Sequence, residues 1–117
     1  MTKYQHYQCR VLLRVAVMER DKVCQRCGKQ IHDTAHVRIV GAWKALEFDL
    51  ENVIGLCRNC HIWFDNNKEE SRVWFAEKWP HRERVLLAAQ TRTKTLINIF
   101  EVRQRLNESI EISRAIN

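Results

Sequence analysis

Five cysteines lie within the first 60 residues, at Cys9, Cys24, Cys27, Cys57 and Cys60. Four of them form two C-x-x-C pairs, Cys24-Gln25-Arg26-Cys27 and Cys57-Arg58-Asn59-Cys60, separated by 29 residues. Thiolates bind zinc tetrahedrally at about 2.3 Å, and two such pairs supply the four ligands of a closed, structural Zn²⁺ site. Metal is a better reading than a disulfide framework, because Arg10 and Arg14 interrupt the apolar residues of Met1 to Arg20 and spoil an export signal there. The separation exceeds that of ordinary zinc ribbons and fingers, so a segment is inserted between the pairs. Gly28 follows the first pair and suits a positive-φ turn that aims backbone N–H groups at the thiolates. Cys9 sits in an apolar helical pattern and reads as a small buried hydrophobe.

The inserted segment and its exit carry His36, Asn52 and His61, the last directly after Cys60. Taken with Ala35-His36-Val37 and the string Asn52-Val53-Ile54-Gly55-Leu56-Cys57-Arg58-Asn59-Cys60-His61, this order resembles the HNH nuclease family, most closely its small phage-borne enzymes. The resemblance covers Val23 to Asp65, including the run Trp43 to Asp49, and implies a ββα-metal core. It also implies hydrolysis of phosphodiester bonds in DNA with one divalent ion, Mg²⁺ or Mn²⁺, leaving 5′-phosphate and 3′-hydroxyl ends. His36 falls where the family keeps its general base. An ordinary imidazole titrates near pH 6.5, so roughly three-quarters of it is neutral at pH 7 and able to take a proton from water. His61 falls at a metal-ligand position, where the ion would act as a Lewis acid on the phosphate. Asn52 falls where the family organises the loop that orients the base. Folding is expected to bring His36 and the helix of His61 to either side of one phosphorus.

Many family members carry a second ligand immediately before the base histidine; here that residue is Ala35, which binds no metal. Asp65 stands four residues after His61, so on a helix the two share a face and can hold one ion together. Asp33 is a further carboxylate, which a regular strand is expected to point away. Arg38 is two residues beyond His36 and shares its strand face by alternation, making it a candidate phosphate clamp or a surface ion-pair partner. Arg58, inside the second knuckle, is another candidate DNA contact. Each of these residues has a plainer reading as a packed histidine, a turn-capping asparagine or a solvated charge.

The elements that must position these groups are legible as patterns. Tyr4, Tyr7, Val11, Val15 and Met18 recur at helical spacing with Leu12 beside them, predicting an amphipathic helix over Lys3 to Arg20 whose apolar stripe packs inward. A nucleic-acid platform at Tyr4 and Tyr7 is the alternative to that packing. Thr34 to Val40 reads as a strand, Asp49 to Asn52 as a turn and Val53 to Leu56 as a second strand; Gly41 to Phe48 is ambiguous. A helix is expected from Asn59 or Cys60 to Asn66, and another from Glu69 to Trp79. Pro80 breaks that one and opens a third, with Val85, Leu86 and Ala89 facing inward. Thr93 to Ile116 carries Leu96, Ile99, Phe100, Leu106 and Ile110 as a long amphipathic helix. Trp43, Trp63, Trp74 and Trp79 read as packing residues, and His32 and His81 as surface residues. The expected fold is α+β and mostly helical. It is one domain over 1–117, with an N-terminal helix (1–22), an HNH core with zinc knuckles (23–68) and a helical extension (69–117).

Composition sets the outer limits. A length of 117 residues, 45% hydrophobic and 29% charged, is ordinary for a single globular domain and argues against disorder. No apolar run is long enough for a membrane helix. The net charge is +6, and 13 of the 20 cations are arginines, which fork onto phosphate better than lysine does. Residues 1–68 hold 11 cations against seven anions and the remainder nine against seven, so the positive bias lies with the core and the helix before it. The sequence therefore predicts a zinc-stabilised, divalent-metal-dependent DNA endonuclease. It would be cytoplasmic, in the host cytoplasm for a phage protein, and would work in DNA packaging or recombination. The alternative is a non-catalytic zinc domain that binds DNA or a phage assembly partner. Self-association through the long C-terminal helix is left open.

Overall fold

Thr2 opens the first helix with a capping box: its hydroxyl accepts from Gln5 N–H, and the Gln5 side chain accepts from Thr2 N–H. That helix, α1 (Lys3–Asp21), leads into β1 (Asp33–His36), β2 (Val53–Leu56), α2 (Arg58–Asn66), α3 (Lys68–Lys78), α4 (Pro80–Gln90) and α5 (Ile99–Ala115). The structure, a computed structural model, describes residues 1–90 and 98–116. The expected helical residues Thr93 to Ile97, with Leu96 among them, lie outside the described residues. Within them the fold is α+β and mostly helical, as the sequence predicts.

The two strands pair antiparallel, with Ala35 opposite Ile54 and His36 opposite Val53. Alternation gives this hairpin two different faces. Ala35, Ile54 and Leu56 pack into a core with Phe64 of α2, Phe75 of α3 and Leu86 of α4. Val53 joins a second core with Cys9, Leu13, Ala16 and Val17 of α1 and Leu106 and Ile110 of α5. The hairpin is thus the middle layer between α2–α4 and the α1/α5 pair. The tryptophans pack, as expected: Trp63, Trp74 and Trp79 form a chain of edge-to-face contacts against the first core.

Two expectations are corrected. The N-terminal part of the stripe assigned to the core of α1 faces solvent, with Tyr4 69%, Tyr7 56% and Val11 47% exposed, while Leu12 and Val15 of that stripe pack against the second core as expected. Cys9, Leu13, Ala16 and Val17 are buried instead. Both stripes are apolar at helical spacing, but the second has small residues at Cys9 and Ala16, which let α5 approach closely. The first strand also stops at His36 rather than Val40. Val37 still donates to the Asn52 carbonyl (2.9 Å), but beyond it the Asn52 side chain replaces a strand partner. It accepts from Arg38 N–H (2.7 Å) and donates to the Arg38 carbonyl (3.1 Å). The chain then leaves the sheet and returns through short 3₁₀ turns at Lys44–Leu46 and Leu50–Asn52.

Candidate metal and imidazole centres

The two knuckles converge at the junction of β2 and α2. Cys57 is the N-cap of α2 and its sulfur accepts from Cys60 N–H at 3.4 Å. Gly28 takes φ +81° and donates to the Cys24 carbonyl, closing the first knuckle as its sequence position predicts. The sulfurs of Cys24, Cys27, Cys57 and Cys60 all lie within 4.8 Å of one another, and those of Cys27 and Cys57 are 3.6 Å apart. Four thiolates around a tetrahedral zinc stand about 3.8 Å apart, so the cluster fits that ion. Burial opposes ionisation of Cys24, yet N–H groups of Cys57, Cys27 and Arg26 overcome it and lower its pKa to about 6. Cys60 is pushed up to about 12 by burial and by the neighbouring thiols, against the Arg26 guanidinium. Four crowded thiols cannot all ionise unaided, and a divalent cation removes that conflict. Arg26 adds positive charge: it lies 3.7 Å over the Trp63 ring and donates to Cys60 Sγ at 3.6 Å.

One turn into α2, His61 is held from both sides. Its Nδ1 is 3.2 Å from Asp33 and its Nε2 is 3.2 Å from Asp65. Asp33 therefore points toward α2, contrary to expectation, because Asp33 and Ala35, not His36, occupy the strand face that α2 covers. Burial opposes ionisation of Asp33, but hydrogen bonds and charge from Arg58 and His61 outweigh it and hold its pKa below the usual value. An ionised Asp33 accepts from Nδ1–H and leaves the Nε2 lone pair facing the Asp65 carboxylate. A cation between them, or a second ring proton, removes that repulsion. Ala35 is fully buried and contributes no donor. Arg58 donates to Asp33 at 2.9 Å while its side chain stays 68% exposed.

His36 leaves the opposite face, so the two imidazoles do not flank one point as the sequence leads one to expect: α2 covers the face of Asp33 and Ala35, and strand alternation turns His36 away from it. Its Nε2 lies 2.9 Å from the Glu47 carbonyl. A carbonyl only accepts, so Nε2 carries the proton and Nδ1 keeps its lone pair, for which the described residues supply no partner. The loop presenting that carbonyl is clasped by Asn52. This residue is fully buried and bonds Arg38 on both backbone groups and the Leu46 carbonyl (3.1 Å). Arg20 and Arg82 hold the loop's return, both donating to the Leu50 and Val53 carbonyls. Burial and the nearby Arg20 charge lower the Arg82 pKa to about 10. Arg38, expected as a phosphate clamp, is turned inward onto Glu83 and Gln90. The ion-pair reading of that residue is the one the fold realises, because its strand ends before alternation reaches it.

Sequence reasoning passed over Glu47, whose carbonyl meets His36, and His6, which holds the Glu47 carboxylate. His6 of α1 is 2.6 Å from the Glu47 carboxylate, and its ring packs edge-on against Phe48. The signal was present: His6, Cys9, Leu13, Ala16 and Val17 form a second helical stripe, the one the fold buries. Comparison of the chain with known protein families, with curated proteins and with solved structures gives no match.

Proposed function

We propose that this chain is a divalent-metal-dependent DNA endonuclease of the HNH type, with residues 23–68 as its ββα-metal core. The observation that carries the reading is the state of His36: one ring nitrogen spent on a backbone carbonyl, the other left with a free lone pair at the end of a strand. A proton acceptor needs that arrangement, and the Asn52 clasp keeps it in place before substrate arrives.

His36 Nδ1 takes the proton of the attacking water, and the resulting imidazolium is stabilised through Nε2–H and the Glu47 carbonyl. His61 Nε2 and Asp65 are the residues that would hold the divalent ion, and Asp33 orients the His61 ring. When bound, that ion supplies Lewis acidity to the scissile phosphate and its leaving oxygen. Two protein donors leave most of the coordination sphere to phosphate and water, as suits Mg²⁺ or Mn²⁺. The imidazoles leave different faces of the hairpin, but among the described residues the sheet has two strands, so β1 has an edge without a strand partner there. The reading requires a phosphate to lie along that edge, where groups from both faces converge on it.

The test is nicking of supercoiled plasmid by the zinc-loaded chain with Mg²⁺ or Mn²⁺ added. Cutting is expected, and His36→Ala is expected to reduce it by about 10²–10⁴-fold. A folded wild type that cuts nothing with either ion overturns the reading. Buried Ala35 favours a second reading, a zinc-stapled domain that binds DNA without cutting it; there His36→Ala changes nothing.

A further inference from the structure

The face of α1 that carries Tyr4, Tyr7 and Val11 is left exposed among the described residues. Lys3, Tyr4, Tyr7, Arg10, Val11 and Arg14 are all exposed. At about 100° per residue they fall within an arc of about 120°. Between Lys3 and Met18 the helix has no acidic residue. Among the described residues Lys3, Arg10 and Arg14 join no ion pair, which they share with Arg72, Lys78 and Arg84 of α3 and α4; what sets them apart is that they lie together on one face of a helix stretch without acids. The three cations therefore keep their full charge for an outside partner.

Their position matters as much as their sign. Lys3 and Arg10 lie on the edge of the arc that adjoins His6, three and four residues from it along the helix. His6 in turn holds Glu47, whose carbonyl holds His36. The row from Lys3 to Arg14 rises about 16 Å, close to five base pairs of duplex at 3.4 Å each. Self-pairing of α1 through this face would set cation against cation with no acid to answer it. An anionic, repeating partner answers it.

From this we infer that the exposed face of α1 is a nucleic-acid contact, in which Lys3, Arg10 and Arg14 bind backbone phosphates of the strand leading away from His36. Only the direction of that strand rests on the nuclease reading; the contact itself does not.

The test is equilibrium binding of a fluorescent 20-base-pair duplex to the full zinc-loaded chain as salt is varied, in a His36→Ala background so that the probe stays whole. Replacing Lys3, Arg10 and Arg14 together by alanine suits exposed helical sites and should leave folding intact, as thermal melting checks. Loss of three phosphate contacts is expected to flatten the log–log salt slope by about 2.7 and to weaken binding on the order of 100-fold at 0.15 M salt. The control removes the same charge elsewhere: exposed Arg72, Lys78 and Arg84 of α3 and α4, all to alanine, expected to leave the slope within about 0.5. Equal effects of the two triple variants overturn the inference, since only net charge would then be at work. So does tighter binding to anionic lipid vesicles than to DNA, or a dimer in sedimentation that Tyr4→Ala/Tyr7→Ala dissolves. A wild type that cuts plasmid while the α1 triple variant binds like its parent overturns this inference and spares the nuclease reading. A wild type that never cuts, but loses DNA with the α1 triple variant, does the reverse.

Discussion

Asn52 shows how much one amide can organise. Its side chain completes the hairpin where β1 gives out and ties that end to the Leu46 carbonyl, next to the residue that fixes His36. Asn52→Ala leaves buried N–H and C=O groups without partners. It is expected to cost about 2–3 kcal/mol in urea unfolding and to lower nicking further than the stability loss explains. Asp33 acts on the other imidazole. Asp33→Asn keeps the shape but removes the negative acceptor from His61 Nδ1, and is expected to weaken Mn²⁺ binding by about 10–100-fold in a calorimetric titration. The order His36, Asn52, His61 beside the two knuckles was legible directly in the sequence. The roles of Asp33, Glu47 and His6 were not, because each depends on a partner 28 to 41 residues away.

At the level of elements, the hairpin owes its position to contacts no local pattern announces. Gly55 in β2 lies against Ile31 and Asp21, and its N–H donates to the Asp21 carboxylate at 2.8 Å. A Cβ there would stand 2.6 Å from Ile31 Cδ1, which is buried. Gly55→Ala is expected to destabilise the fold by about 1–3 kcal/mol, read as a lower melting temperature, through overpacking rather than through backbone strain. Five helices and two strands were recognisable from periodicity and from Pro80 because those signals are local. The length of β1 and the inward face of α1 were not, since one is set by the Asn52 side chain and the other by which stripe α5 can approach most closely.

Across the whole molecule, the four-cysteine cluster joins the start of the loop-bearing segment to its end. The two halves of the ββα unit therefore meet at one staple. Structural zinc contributes on the order of 10–16 kcal/mol of apparent binding energy, against a total stability of about 5–15 kcal/mol for a domain. One zinc per chain is expected by elemental analysis, and its removal by a chelator is expected to abolish the cooperative thermal transition. Cys27→Ser is expected to lose the metal and Cys9→Ser to keep it, because Cys9 lies in the α1/α5 core and burial raises its pKa. Among the described residues no helix is long and apolar enough to cross a membrane.

The sequence by itself determined the local groupings and the local elements: two C-x-x-C thiol pairs, the positions of His36 and His61, the His61–Asp65 contact one turn apart, and helices whose periods and stops are short-range. These are properties of residue type and of separations of a few positions, which backbone geometry converts directly into proximity. Tertiary structure alone decided which of two apolar stripes of α1 is buried, that Asp33 rather than Ala35 serves His61, that Arg38 is a strut, and which nitrogen of His36 is free. Those outcomes turn on packing between elements far apart in the chain, where side-chain volume and a single carbonyl or amide select among arrangements that hydrophobic patterning leaves equivalent.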